Sequence, residues 1–119
     1  AADQAGYYAS DGEKLYYVDF ETNECRSLDG AGQIDSYGVL ATIKGSSFCR
    51  NGIFYYVDDQ GIVAYDTTNN SESRILTGTL APFLQDDVSC VTLIVTDHQA
   101  IAVAADLNSE TQTVYRYEI

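Results

Sequence analysis

The fold of this chain is decided by residues 52–76, which read GIFYYVDDQGIVAYDTTNNSESRIL. Three short runs of apolar, β-branched and aromatic residues are separated here by segments rich in Asp, Asn and Gly. Such runs are typical of β-strands, and the segments between them carry turn chemistry. The stretch therefore predicts an antiparallel meander of short strands at 52–58, 61–66 and 73–76.

Similar meanders are predicted on either side, and no segment shows the sustained periodicity of a helix. The predicted strands of the two flanking units are 6–10, 14–19 and 24–28, then 91–96, 100–106 and 113–118. One more strand is expected within 38–50 and a weaker one within 83–90, which makes about eleven in all. We expect a single all-β domain over residues 1–119, with repeat units at about 6–28, 39–76 and 83–119.

Internal repetition supports this division, but two registers compete. The first has a period of 39 residues and relates Leu15–Asp19, Phe54–Asp58 and Leu93–Asp97. The second relates Tyr17–Asn23, Ala64–Asn70 and Ala104–Glu110. We prefer the second register because it reproduces a whole strand–turn–strand unit, and either period is typical of a propeller blade or another repeat array.

Paired tyrosines favour sheets that are covered on both faces. Successive strand residues point to opposite sides of a sheet, so Tyr7-Tyr8, Tyr16-Tyr17 and Tyr55-Tyr56 each place an aromatic ring on both faces. A two-layer sandwich leaves one face of each sheet in water and shows clean alternation. Four-stranded meander units of β-propeller type are therefore predicted, with a β-sandwich as the alternative.

The runs in 52–76, with those in 6–28 and 39–51 and more loosely 91–119, resemble the blades of low-density-lipoprotein-receptor-like and TolB-like β-propellers of bacterial exported proteins. The resemblance implies a domain that binds proteins, peptides or glycans. Propeller rings typically have four to eight blades, whereas this chain holds about three, and the inner strand of its first blade would lie before Ala1. The resemblance thus implies an incomplete propeller, a six-bladed ring assembled from two chains, or an open sandwich.

Charge and hydropathy exclude several classes of partner. The chain has 18 acidic and 6 basic residues and a formal net charge of -12, which argues against nucleic acid and anionic membrane surfaces. The longest apolar runs, Val91–Val95 and Ala100–Ala105, are far shorter than the roughly 20 residues of a membrane-spanning helix. No signal-peptide pattern opens the chain, so we expect any signal peptide or longer N-terminal part to have been removed before Ala1, and we expect an exported protein, extracellular or at the cell surface.

Catalytic and metal-binding signatures are weak. His98, the single histidine, lies between two predicted strands without a nucleophile elbow anywhere in the chain, so we interpret it as a turn residue. The acidic pairs at 58–59 and 86–87, and the strand-ending Asp19, Asp66 and Asp106, lack the spacing of a calcium loop and are better explained by turns. With 18 acids, a glycosidase-like carboxylate pair would arise by chance. No catalytic residue, metal site or cofactor is predicted.

Tyrosine and cysteine are the remaining candidates. Most of the 10 tyrosines fall in predicted strands, where packing needs bulk, and Tyr8 and Tyr37 rank first among them as candidates for exposure. Cys25, Cys49 and Cys90 cannot all pair within one chain, and we interpret them as small buried residues. A bridge between Cys49 and Cys90 remains open, because both precede equivalent strands.

These observations predict a non-enzymatic extracellular domain for binding or scaffolding, with a protein or a glycan as partner. The alternative is a structural subunit that assembles through open sheet edges into a homo-oligomer or filament. A third hypothesis is an accessory domain of an enzyme whose catalytic residues lie elsewhere in a longer polypeptide.

Overall fold

The computed structural model describes residues 5–40, 47–58, 61–77 and 88–119, and in these ranges every regular element is a β-strand. The all-β prediction is confirmed. Sheet 1 contains β1 (Ala5–Ser10), β2 (Lys14–Asp19), β3 (Glu24–Asp29) and β4 (Ile34–Val39). Sheet 2 contains β5 (Ser47–Arg50), β6 (Ile53–Val57), β7 (Gly61–Asp66) and β8 (Ser71–Thr77). Sheet 3 contains β9 (Val88–Val95), β10 (Gln99–Asp106) and β11 (Thr111–Glu118).

Each sheet is an antiparallel meander in which every strand pairs with its neighbours in the chain. The described ranges contain three separate sheets, rather than the two of the sandwich alternative, and these strands do not close into one barrel. No helix in the same ranges has the length and apolar character to cross a membrane.

The middle sheet is buried on both of its faces. Phe54 and Tyr56 belong to the apolar cluster shared with sheet 1, whereas Tyr55 and Val57 belong to the cluster shared with sheet 3. The residues of β7 divide in the same alternating way between the two clusters. The pleat sends neighbouring side chains to opposite faces, so the paired aromatics of one strand fill two interfaces. The sequence argument from Tyr55-Tyr56 is thus confirmed for this sheet.

The first strands of the three sheets lie next to one another, with β1 against β5 and β5 against β9. Their following turns, at 11–13, 51–52 and 96–98, are the first hairpin of each sheet. An ion pair joins two of these ends, since the Arg50 guanidinium lies 2.9 Å from the Asp97 carboxylate. We call this row of three turns the first-hairpin end.

The sequence missed one strand and misplaced the limits of another. The strand expected within 38–50 is β5 at Ser47–Arg50, whereas β4 at Ile34–Val39 was not predicted. As a result sheet 1 has four strands within the chain, and the expected inner strand before Ala1 is not needed to complete it. The strand expected within 83–90 is continuous with the next one, because β9 runs from Val88 to Val95. Residues 83–87 lie outside the described part.

The preferred repeat register does not match the sheet topology. Its Asp-terminated strands, ending at Asp19, Asp66 and Asp106, are the second, third and second strands of their sheets. The turns that follow do share one geometry, since Asn23, Asn70 and Glu110 all have positive φ, from 53° to 59°. Turns of the same length require the same left-handed residue and Asp cap wherever they occur. The repeat therefore follows turn type and not the position of a strand in its sheet.

Candidate functional site

The lone histidine is a surface turn residue. His98 is exposed between β9 and β10, and its carbonyl oxygen accepts a hydrogen bond from the Ile119 N–H at 2.9 Å. The carboxylate of its neighbour Asp97 is taken up by Arg50. The interpretation of His98 as part of a turn is confirmed.

The aspartates at strand ends are occupied with their own turns. Asp19 Oδ2 accepts the Thr22 N–H, Asp66 Oδ1 accepts the Thr68 N–H, and Asp106 Oδ1 accepts the Asn108 N–H, all between 2.9 and 3.0 Å. Asp59, Asp86 and Asp87 lie outside the described residues. In the described ranges, no three His, Cys, Asp or Glu side chains are grouped so that they could hold a metal ion.

Asp58 differs from these caps because it is buried. Its carboxylate receives both terminal nitrogens of Arg74, at 2.6 and 2.7 Å, and Oδ1 also accepts the Gly61 N–H at 2.9 Å. Such bidentate pairs are among the stronger polar contacts in proteins. This pair ties β8 to the turn between β6 and β7.

The two tyrosines expected at the surface behave differently. Tyr8 is 67% exposed, as predicted. Tyr37, the other candidate for exposure, is only partly exposed. Its hydroxyl lies 2.8 Å from Ser27 Oγ and its ring stacks on Tyr16. Tyr37 is therefore part of the packing between sheets 1 and 2, a role that depends on β4, the strand the sequence did not reveal.

Two of the three cysteines are confirmed as buried and free. Burial raises the pKa of the Cys25 and Cys49 thiols to about 12, so both are protonated at neutral pH. Cys49 is in β5 and Cys90 is in β9, the first strands of their sheets, but the Cys90 side chain lies outside the described part. Because Cys49 is a free thiol, the bridge between Cys49 and Cys90 that the sequence left open is absent.

A cleft of about 370 Å³ opens at the first-hairpin end, between sheets 1 and 2. Its walls are formed by Asp11, Glu13, Lys14, Tyr16, Asn51 and Gly52. The Asp11 carboxylate is held by the Lys14 and Glu13 N–H groups at 3.0 and 2.9 Å, which lower its pKa. Burial raises the pKa of Tyr16. The cleft thus carries the charged side chains of Asp11, Glu13 and Lys14 around the partly polar ring of Tyr16.

The outer side of sheet 1 carries apolar residues that no other sheet among the described residues covers. The registers place Leu15 beside Leu28 and Leu28 beside Ile34, forming a row across three strands. Tyr8 and its partner Tyr17 lie on the same side of the sheet, and Tyr17 is buried at 5% exposure. Leu15, Ile34 and Tyr8 are 37%, 51% and 67% exposed. We call this surface the sheet-1 outer face.

Sheet 3 has a comparable surface on its far side. Ile94 pairs with Ile101, and Val103 pairs with Val114 in the neighbouring row. Their inward neighbours Leu93, Ala102 and Ala104 are in the cluster shared with sheet 2, so the alternation assigns Ile94, Ile101, Val103 and Val114 to the other side. Ile94 is 41% and Val114 is 69% exposed. We call this surface the sheet-3 outer face.

The two outer faces are the features that sequence reasoning missed. A signal was present, since the alternation of Ala100, Ala102 and Ala104 with Ile101 and Val103 indicates a strand that has a small-residue face and a branched apolar face. Which of these faces is covered depends on where sheet 2 lies, and the local pattern does not contain that information. No family model and no curated protein matches this sequence.

Proposed function

We propose that this chain is a non-enzymatic extracellular scaffolding domain that recognises protein, and that its outer faces pack against further sheets of its own kind. The observation that carries the proposal is the contrast between sheet 2, which is covered on both faces, and sheets 1 and 3, which leave apolar residues exposed on one. Exposed apolar patches of this kind mark protein interaction sites. Protein is favoured over glycan because the exposed large apolar residues among those described are mainly aliphatic, with Tyr8 and Phe20 the two aromatics.

The arrangement of the first strands supports a propeller-type arc. β1, β5 and β9 lie side by side, as the innermost strands of consecutive blades do around an axis. In such an arc sheet 1 and sheet 3 present opposite ends of one stack. The sheet-3 outer face of one copy can then pack against the sheet-1 outer face of another, as neighbouring blades do.

A second copy is the occupant we propose for both outer faces, which gives a six-sheet ring from two chains. With strands about 4.8 Å apart and residues about 3.4 Å apart, each face covers about 400 Å². A two-chain ring forms two contacts and buries about 1,600 Å² in total, the size of a standard stable interface. The net charge of -12 opposes this association, so salt should strengthen it.

Light scattering over a range of concentrations tests the proposal. We expect a two-chain mass at high micromolar concentration in physiological salt, without further growth. Ile94→Lys, which places a charge on the sheet-3 outer face, should give a single-chain mass. Leu107→Lys is the matched control, since Leu107 is an exposed apolar residue in the turn after β10. This variant should assemble as the unaltered chain does.

A single-chain mass for the unaltered protein at every concentration would contradict the proposal, and so would equal assembly of the Ile94→Lys variant. Filaments that lengthen with concentration would instead favour the alternative of a structural subunit that joins through its sheet edges.

A further inference from the structure

We infer that the outer edge of β11 is a docking site for an extended peptide segment of a partner protein, which adds to sheet 3 as a fourth strand. This binding mode is independent of assembly through the outer faces, because it uses backbone groups at an edge. The first observation is a difference in strand number. Sheets 1 and 2 have four strands, whereas the described residues supply three to sheet 3, and β11 pairs there with β10 alone.

The edge of β11 is unusually regular. β11 pairs with β10 over eight consecutive residues without a register shift. Both other outer strands, β4 and β8, pair with their neighbours through a register irregularity. Residues 111–118, TQTVYRYE, also contain no proline, glycine or lysine. Bulges, prolines and charged side chains are devices by which proteins protect sheet edges. β11 has no bulge and no proline, and its charged residues are Arg116 and Glu118, which are of opposite sign.

The hydrogen-bond phase of β11 identifies the backbone groups that a new strand would meet. The Ile119 N–H donates to His98 on the β10 side. Antiparallel ladders alternate, so the N–H groups of Thr113, Tyr115 and Tyr117 also point toward β10. Those of Gln112, Val114, Arg116 and Glu118 point to the open edge. These four alternate residues span positions 112–118, so a partner strand of seven residues can pair along this edge.

Sheet 2 lies opposite the place that a fourth strand of sheet 3 would take beside β11. Because β5 and β9 lie together, counting strands outward leaves β8 opposite the place of a fourth strand in sheet 3. Ser73 of β8 pairs with Ala64, which faces sheet 3, and Ser73 is exposed. Ile75 and Leu76 of β8 pack against the apolar cluster between the two sheets, so β8 offers apolar side chains here as well as Ser73. One added strand brings sheet 3 to the four strands of sheets 1 and 2, which favours a single peptide segment over another copy of this chain.

The surroundings define the chemistry of the peptide. The peptide side chains that face sheet 2 lie opposite Thr113, Tyr115 and Tyr117. The two tyrosine rings are stacked and pack on the apolar cluster between sheets 2 and 3. Apolar residues are therefore expected at alternate positions. The exposed acids Glu110 and Glu118 flank the strand, so basic residues are expected at the peptide ends.

A synthetic peptide tests this directly: Lys-Val-Thr-Val-Thr-Val-Lys with blocked termini, added at millimolar concentration to the ¹⁵N-labelled chain. The readout is hydrogen exchange of individual β11 amides by NMR. We expect the Val114 and Arg116 amides to exchange at least tenfold more slowly with peptide, while Tyr115 and Tyr117, already bonded to β10, change little.

Two N-methylated peptides are matched controls. With the valines facing sheet 2, the threonine amides point at β11 and the valine amides point away. Methylation of the threonine amides should abolish the protection, and methylation of the valine amides should preserve it. Val114→Pro, which removes one outward N–H without affecting the β10 ladder, should lose the protection at Arg116.

Three results would overturn the inference: no added protection from the unmethylated peptide, equal effects of the two methylated peptides, or Val114 and Arg116 amides that are already protected in the free chain. The readout is confined to β11 amides, so it distinguishes failure of this site from failure of assembly through the outer faces, which is measured by mass.

Discussion

The hydrogen bond between sheets 1 and 2 at Gly38 gives the sharpest stability prediction. The Gly38 N–H donates to the Tyr65 hydroxyl at 2.7 Å, and Tyr65 is 3% exposed. Tyr65→Phe leaves that N–H without its acceptor inside the interface. Leaving a buried donor unsatisfied costs about 1–3 kcal/mol, and because Gly38 is only partly buried we expect about 1–2 kcal/mol.

A second change at the same contact turns this into a double-mutant cycle. A Cβ at Gly38 would lie 2.9 Å from the Tyr65 hydroxyl oxygen and 3.3 Å from Asn70 Oδ1. Gly38→Ala should therefore destabilise the chain by about 1–3 kcal/mol, the cost of overpacking. In the Tyr65→Phe background the closest clashing atom is gone, and the next ring atom, Tyr65 Cζ, is at 3.7 Å, an ordinary contact.

Urea unfolding of the four chains measures the free energies of unfolding, with the denaturant slope as a check that the unfolding reaction is the same in each. The double variant should be more stable than the sum of the two single losses predicts, by at least about 0.5 kcal/mol. Additive losses, or a Tyr65→Phe variant as stable as the unaltered chain, would refute the placement of β4 against sheet 2.

Three further predictions follow from other parts of the fold. The Asp11 carboxyl should titrate by NMR below its ordinary value of 3.8. Because the pKa of Asp11 is lower in the folded chain, this carboxylate stabilises the fold at pH values above 3.8, and the stabilisation is lost as the pH falls through the folded pKa. A titration midpoint at or above 3.8 would contradict the turn geometry. In a Cys90→Ser background, Cys25 and Cys49 should resist a thiol reagent at pH 8 in the native state and both react in denaturant, whereas rapid native labelling of either would show that its burial is wrong. Ala102→Leu, at a residue 1% exposed between sheets 2 and 3, should lower stability by about 1–3 kcal/mol in thermal or urea unfolding, and a neutral result would mean that the interface has room there.

Local signals located most of the strands and turns. The stretch 52–76 forms β6, β7 and β8. Asn51 and Gly52 both have positive φ and make the tight turn before β6 that an Asn-Gly pair indicates. The burial of Cys25 and Cys49 and the role of Asp19, Asp66 and Asp106 in turns were also predicted. These features depend on residues within a few positions of one another.

The strand β4 shows where such reasoning fails. Its residues Asp35, Ser36 and Gly38 give it a weak strand pattern, and most of it is exposed. It is held by contacts with distant residues, Ser27 to Tyr37 within sheet 1 and Tyr65 to Gly38 from sheet 2. Because these partners are far away in sequence, the pattern within 34–39 does not reveal them.

The amino-acid sequence alone determined that this chain is all-β, where its turns fall, and that its aromatic strands need cover on both sides, because strand pleat and turn conformation are set by neighbouring residues. Only the tertiary structure decided that the described strands divide into sheets of four, four and three, and that sheet 2 is covered on both faces. It also decided that no other described sheet covers the two outer faces or pairs with the outer edge of β11. The physical reason is that strand pairing and sheet stacking are chosen by side chains far apart in the chain, whose combined packing outweighs the preference of any single segment.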